Sequence, residues 1–182
     1  MKRYIRLLFL VVIVFILSSC FGGSRTKMLN KSSDEEIANE KLINIINYIE
    51  NKDEEALKAM FSKRAIDESG DFSENADLLF DFYEGVMISW EKSSGPHVSE
   101  STNYGEVIKE VDSYYHVETD KETYFFLIND FPIDDSNVDN EGVNMLLVVL
   151  AEDRLDIYDK ENEILFKDGK AITPPGIYLP IR

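Results

Sequence analysis

The sequence predicts an α+β domain behind an exported leader, and three observations carry that expectation. Apolar residues recur at helical spacing up to Gly85. From Val86 the pattern turns to strand-like runs rich in β-branched and aromatic residues. The chain begins with Lys2, Arg3 and Arg6, an apolar run Leu7–Leu17, and then Ser18-Ser19-Cys20.

That opening has the order of a secretory signal: basic, apolar, small. Eleven apolar residues are too few for a span of roughly 20, and Ser18-Ser19 end the run. Cys20 is the only cysteine in 182 residues and stands where a bacterial lipobox has its lipidated thiol. Residues 1–19 are therefore expected to be removed and Cys20 to carry a diacylglyceryl group. The mature protein is then expected on the extracytoplasmic face of the cell membrane. Two acyl chains anchor stably where one does not, each buried methylene contributing about 0.8 kcal/mol.

Residues 1–19 hold three basic groups and no acidic ones, so the mature chain keeps 16 Lys and Arg against 35 Asp and Glu, a formal charge of −19. Such a surface repels nucleic acid. With Cys20 used, no intramolecular disulfide is possible, and about 150 folded residues suit one domain with one core.

Residues 20–32, with Gly22-Gly23, read as lipidated cysteine and flexible tether, and 33–182 as a single domain. Ser33-Asp34-Glu35-Glu36 has the form of a capping box. Ala38, Leu42, Ile45, Ile46 and Ile49 then make an apolar stripe, with Glu40, Lys41, Asn44 and Asn47 opposite. Asp53 is placed to cap a shorter helix that buries Ala56, Leu57, Met60 and Phe61. A third helix is expected from about Ser73, with Ala76, Leu79, Phe80 and Tyr83 inward and Gly85 as its stop.

Strands are expected at Val86–Trp90, Tyr104–Lys109, Asp112–Thr119, Thr123–Phe131 and Val143–Ala151, with weaker ones near Leu155–Tyr158 and Ile164–Phe166 and a closing Ile177-Tyr178-Leu179. Loops are expected at Glu91–Asn103 and Pro132–Glu141. Two strands are apolar on both faces. Phe125, Leu127 and Phe131 alternate with Tyr124, Phe126 and Ile128, and Val143–Ala151 is apolar throughout. A sheet covered on one side alternates apolar and polar. The second face must then be covered by its own curvature around a pocket, by the C-terminal segment, or by another subunit.

Candidate sites are few. Asp135–Asn140 imitates the start of an EF-hand loop, but Asn140 stands where glycine is needed and Leu146 where the bidentate Glu belongs. His97 and His116 are the only histidines, without Cys or a third His for zinc, and no nucleophile motif accompanies them. No metal or cofactor is expected. Trp90, Tyr104 and Tyr178 combine a ring with a polar tip, which suits a pocket mouth or a protein contact.

The chain resembles the DUF5104 family of lipoproteins from Gram-positive bacteria. The resemblance rests on Asp34–Lys41, Asn51-Lys52-Asp53 through Ala59-Met60-Phe61-Ser62, Phe80–Gly85, Ser89-Trp90-Glu91, Gly95-Pro96, Ser99-Glu100-Ser101, Asn103-Tyr104-Gly105, Thr119-Asp120-Lys121 and Gly176–Pro180. It departs in a longer acidic stretch between Ala151 and Pro174. Helices followed by a curved antiparallel sheet are also similar to the NTF2-like (cystatin-like) cone. That likeness implies a concave face near Tyr114, Tyr124, Phe126 and Asp130, where Asp130 with Tyr114 or Tyr124 would form an acid–base pocket. The expected role is a small-molecule or peptide binding module. A protein-interaction module (a homodimer included) and an Asp/Tyr enzyme are the alternatives. If the leader reading holds, Cys20→Ser leaves the protein soluble or secreted, and membrane fractionation reads the result directly.

Overall fold

The computed structural model describes residues 22–157 and 175–179, with side chains from Ser33 onward except that of Asp156. Met1–Ile37 form one compact unit and Ala38–Arg182 another. Helix α1, Gly22–Glu50, begins in the first and ends in the second. The tether expected through residue 32 is thus helical from Gly22. No proline interrupts residues 23–33, so the helix continues through the capping box rather than starting there. Ala38, Leu42, Ile45, Ile46 and Ile49 are buried as their spacing requires.

The next helices are set by their caps. The Asp53 carboxylate accepts from the Ala56 N–H at 3.0 Å and starts α2, Glu54–Met60. Ser62 does the same for Ala65 at 3.0 Å and starts α3, Lys63–Glu68, a single short helix for which the apolar spacing gave no sign. Asp71 caps α4, Phe72–Phe82, through the Glu74 N–H at 3.0 Å.

Five strands follow in spatial order β1-β2-β3-β4-β5. They are β1 Met87–Asn103, β2 Glu106–Thr119, β3 Thr123–Asp134, β4 Gly142–Leu150 and β5 Gly176–Tyr178. The first four pair antiparallel and β5 pairs parallel with β4. Helices precede an open mixed sheet, so the fold class is α+β.

Several boundaries differ from expectation. The loop expected at Glu91–Asn103 is strand. Register shifts between Met87 and Ser89, Lys92 and Ser94, and Ser94 and His97 absorb the Gly95-Pro96 step. Bulges in an edge strand are where such residues are tolerated. The two segments expected at Tyr104–Lys109 and Asp112–Thr119 are one strand, entered by a two-residue turn with Tyr104 at φ 51° and Gly105 at φ 93°. Positive φ at both central residues matches the twist of a hairpin. Strand β3 continues past Phe131 to Asp134, shortening the expected acidic loop. The weak strand expected at Leu155–Tyr158 gives way to 3₁₀ turns over Ala151–Ile157. Ile164–Phe166 lies outside the described residues.

The core has two layers. On one face of the sheet, Tyr115, Val117, Tyr124, Phe126, Ile128, Val143, Leu146 and Val148 pack with the helices. On the other, Phe125, Leu127, Met145, Leu147 and Val149 are also buried, with Tyr114, Ile157 and Tyr178 packed against them. The Arg154 guanidinium lies 4.7 Å from the Phe125 ring centre. Of the three ways to cover that face, the described contacts come from the segment after β4 and from β5.

Gly142 fits the helices to the sheet. Its φ is +120°, and a Cβ there would sit 2.8 Å from the Ser62 nitrogen, which itself donates to the Val143 carbonyl at 2.9 Å. Gly142→Ala is expected to destabilise by about 1–3 kcal/mol from backbone strain alone, with the clash added. Gly70, at φ +79° with nothing within 4 Å, is the control. Urea unfolding of the two alanine variants should rank Gly142→Ala as the more damaging.

Candidate functional site

The sheet is bent at one place from both sides. Between β2 and β3 the register shifts from Lys109↔Ile133 to Val111↔Asp130, and between β3 and β4 from Asn129↔Met145 to Asp130↔Val143. Bulges re-aim side chains, and here they surround Asn129 and Asp130. Six buried polar residues lie on β2, β3 or β4: Ser113, Asn129, Asp130, Asp134 and Asn144, most of them close to these shifts, and Thr119 at the other end of β2.

Asp130 is on the helix side with Ile128, 4% exposed, and forms an ion pair with Lys41 of α1. Nearby on α1, Asn39 accepts from the Tyr115 hydroxyl at 3.1 Å. The helical spacing in the sequence puts Lys41 on the polar face of α1. Its position gives the missed signal, being three residues after Ala38 and four before Ile45, both in the buried stripe.

Asn129 points to the opposite face. Its Nδ2 donates to Glu110 Oε1 at 2.7 Å and to Asp112 Oδ1 at 2.8 Å, while its Oδ1 accepts from Asn144 Nδ2 at 2.9 Å. Glu110 and Asp112 are two apart on β2 and so share a face. Burial pushes the Asp112 carboxyl above its usual range and the Glu110 charge adds to this, while the Asn129 hydrogen bond and His97 act the other way. His97, paired in register with Asp112, packs against Tyr114 with ring centres 5.7 Å apart and meets Ser94 Oγ at 2.9 Å.

The structure does not bring Asp130 together with either expected tyrosine. Tyr124 is six residues away on the same strand, roughly 20 Å along it. Tyr114 belongs to the opposite face with Phe125. Tyr124 and Phe126 are fully buried in the helix-side core. The Tyr124 hydroxyl donates to the Phe82 carbonyl at 3.1 Å and accepts from the Glu84 N–H at 2.7 Å. Trp90 is half-buried, edge-on to Tyr115 at 5.7 Å. Tyr104 stands fully exposed at the hairpin tip. Tyr178 donates to the Pro175 carbonyl at 3.0 Å.

The EF-hand-like run is held by its own acids. Asp134 accepts from the N–H groups of Ser136 and Asn137, each at 3.0 Å, and from Asn140 Nδ2 at 2.7 Å. Hydrogen bonds from Ser136 and Asn140 foremost keep its carboxyl below the usual range. Asp135 accepts from the Val107 N–H at 2.8 Å, and Asp139 pairs with Lys63 at 3.1 Å. Among the described residues no group of three His, Cys, Asp or Glu is placed to hold a metal ion.

The raised Asp112 carboxyl gives a pH dependence of known sign. A group that binds its proton more tightly when folded contributes its full stability below the ordinary value of 3.8 and loses it as pH rises through the raised value. Asp112 is therefore a cost near neutral pH. Asp112→Asn should raise the melting temperature near pH 7, with the gain shrinking towards about pH 4. Thermal melts across that range would show a constant difference if the premise were wrong.

Among the described residues no helix is long and apolar enough to cross a membrane. A search of curated proteins found no match. Residues 44–152 match a family described as a domain of unknown function, DUF5104. The matched span runs from the second half of α1 to the turns after β4 and includes both bulges. With more than half of its length matched, the chain belongs to the DUF5104 family.

Proposed function

We propose that the protein is a lipid-anchored binding module on the extracytoplasmic face of the membrane, with a ligand site at the bulged end of its sheet. The anchor is the diacylglyceryl group on Cys20, and the domain is of the NTF2-like kind. The order of helices before a sheet whose first four strands pair antiparallel supports that assignment. The ligand is a small polar molecule or a peptide. Amine or amide donors suit the carboxylates of Glu110 and Asp112 and the amides of Asn129 and Asn144.

One observation carries this proposal: most of the sheet's buried polar groups gather around the two bulges, while Tyr124–Ile128 of β3 and Met145–Val149 of β4 are apolar on both faces. Polar groups converging within apolar surroundings are the usual composition of a ligand site. Binding is favoured over acid–base chemistry because the buried carboxylate of Asp130 is engaged by Lys41.

Native mass spectrometry of the mature chain, extracted from its own membrane, tests the proposal. The expected result is a bound mass that disappears in Asn129→Ala while that variant keeps its far-ultraviolet circular dichroism. A bare chain, or a bound mass indifferent to Asn129→Ala, would count against it.

A further inference from the structure

The two edges of the sheet are treated differently. Strand β5 is an edge of three residues, buried or half-buried, whereas β1 runs for 17 residues and is exposed along its second half. Natural edge strands are blunted by bulges, proline and lysine. In β1 all such devices fall in its first part, with the register shifts ending at His97, Lys92, and Pro96. From His97 to Asn103 the pairing with β2 is regular, every residue is exposed, and Glu100 is the only Asp, Glu, Lys or Arg.

The hairpin geometry shows which backbone groups are open. Asn103 and Glu106 flank a two-residue turn, so they form a hydrogen-bonded pair, and the pairs alternate from there. Ser101, Ser99 and His97 therefore point their backbone groups at β2. Thr102, Glu100 and Val98 point theirs away. The other side of the hairpin agrees, because Val107, opposite Thr102, turns its carbonyl and N–H to Asp135 at 2.9 and 2.8 Å.

We infer that this edge pairs antiparallel with the same edge of a second copy, with the two-fold axis at Ser101. A second copy is favoured by charge. The chain carries a formal −16, so two copies repel except where the surface is nearly neutral, as this edge is. The register follows by elimination, since outward residues must face outward residues. An axis at Glu100 sets two carboxylates directly opposite, which destabilises a strand pair. An axis at Ser99 sets Pro96, without an N–H, opposite Thr102 of the second copy. An axis at Ser101 sets Glu100 opposite Thr102, Ser99 opposite Asn103, and Val98 beside the exposed Tyr104. The positive φ of Tyr104 is uncommon for a bulky residue, and in this dimer its ring gains an apolar neighbour. So short a ladder buries less than about 1,200 Å², which makes the association weak and dependent on local concentration.

Disulfide trapping in the full chain, in its own membrane, tests this. Ser101 would meet its copy in a non-hydrogen-bonded pair with Cα atoms about 4.5 Å apart, within disulfide range. Ser101→Cys under a mild oxidant should form dimers at least about tenfold faster than Glu55→Cys, an exposed site on α2. The unsubstituted chain, whose single cysteine is Cys20, gives the background. Adding Thr102→Pro removes one outward N–H, spares the β2 ladder, and should abolish trapping, whereas Thr102→Ser should keep it. Circular dichroism establishes that each variant is folded. Equal rates at Ser101→Cys and Glu55→Cys, trapping that survives Thr102→Pro in a folded chain, or cross-links to a different protein would each overturn the inference.

Discussion

Burial of β3 and β4 on both faces is the constraint from which the rest of the structure follows. Inside such a strand a polar side chain has no water to turn to, and leaving it unpaired costs about 1–3 kcal/mol. Asn129 meets this by using both its Nδ2 protons and its Oδ1 on Glu110, Asp112 and Asn144. Asp130, one residue on and facing the other way, takes Lys41 from α1. Removing one partner of a buried ion pair costs about 3–5 kcal/mol, yet replacing both with apolar residues is often neutral. Stability alone therefore does not account for the pair. Its place between two bulges gives it a second meaning, because the same bend that buries Asp130 points Asn129 into the carboxylates on the other side.

The opposite end of the sheet is apolar and its few polar groups serve as fasteners. The Tyr124 ring stacks on Tyr83 at 4.8 Å, and its hydroxyl ties the last carbonyl of α4 to the Glu84 N–H. Burial pushes both phenols upward. Thr119 reaches the Glu84 carbonyl at 2.9 Å, Asp120 accepts from the Val86 N–H at 2.9 Å, and Glu50 accepts from the Met87 N–H at 2.6 Å. Together these groups fix the step from helix to sheet around Gly85, whose φ is +90°. A tyrosine that looks suited to chemistry in the sequence is here a structural tie.

Helices α2 and α4 were legible from apolar residues at helical spacing, α2 with Asp53 as its cap as well; the Asp71 cap of α4 was not read. Helix α3 was not, because six residues are too few to show a period. The long hairpin was hidden by composition. Gly95-Pro96 and the serines around it read as loop, and only the partner strand, supplying a register into which bulges fit, makes them strand. The two-sided burial of β3 and β4 was visible from Tyr124–Ile128 and Val143–Ala151 alone. What covers the second face was not, since Arg154 and Ile157 come from a segment with an acidic, unpatterned sequence. Asp130 came into view only through the likeness to the NTF2-like cone. Its partner did not, because strand position gives no access to which helix residue lies above it.

Charge connects the bulge site to the free edge. An acidic surface of this strength discourages close approach of two copies nearly everywhere, so any self-contact must use backbone hydrogen bonds and neutral side chains. Strand β1 between His97 and Asn103 offers both. The carboxylates of Glu110 and Asp112 are on β2, paired directly with Ser99 and His97 of that edge strand. A ligand that neutralises those carboxylates therefore also lowers the charge behind the edge, and a second copy paired at the edge stiffens the strands that hold them. The two sites are adjacent because the same half of one hairpin builds both: β2 carries the carboxylates where its pairing with β3 shifts, and β1 leaves its outer edge open.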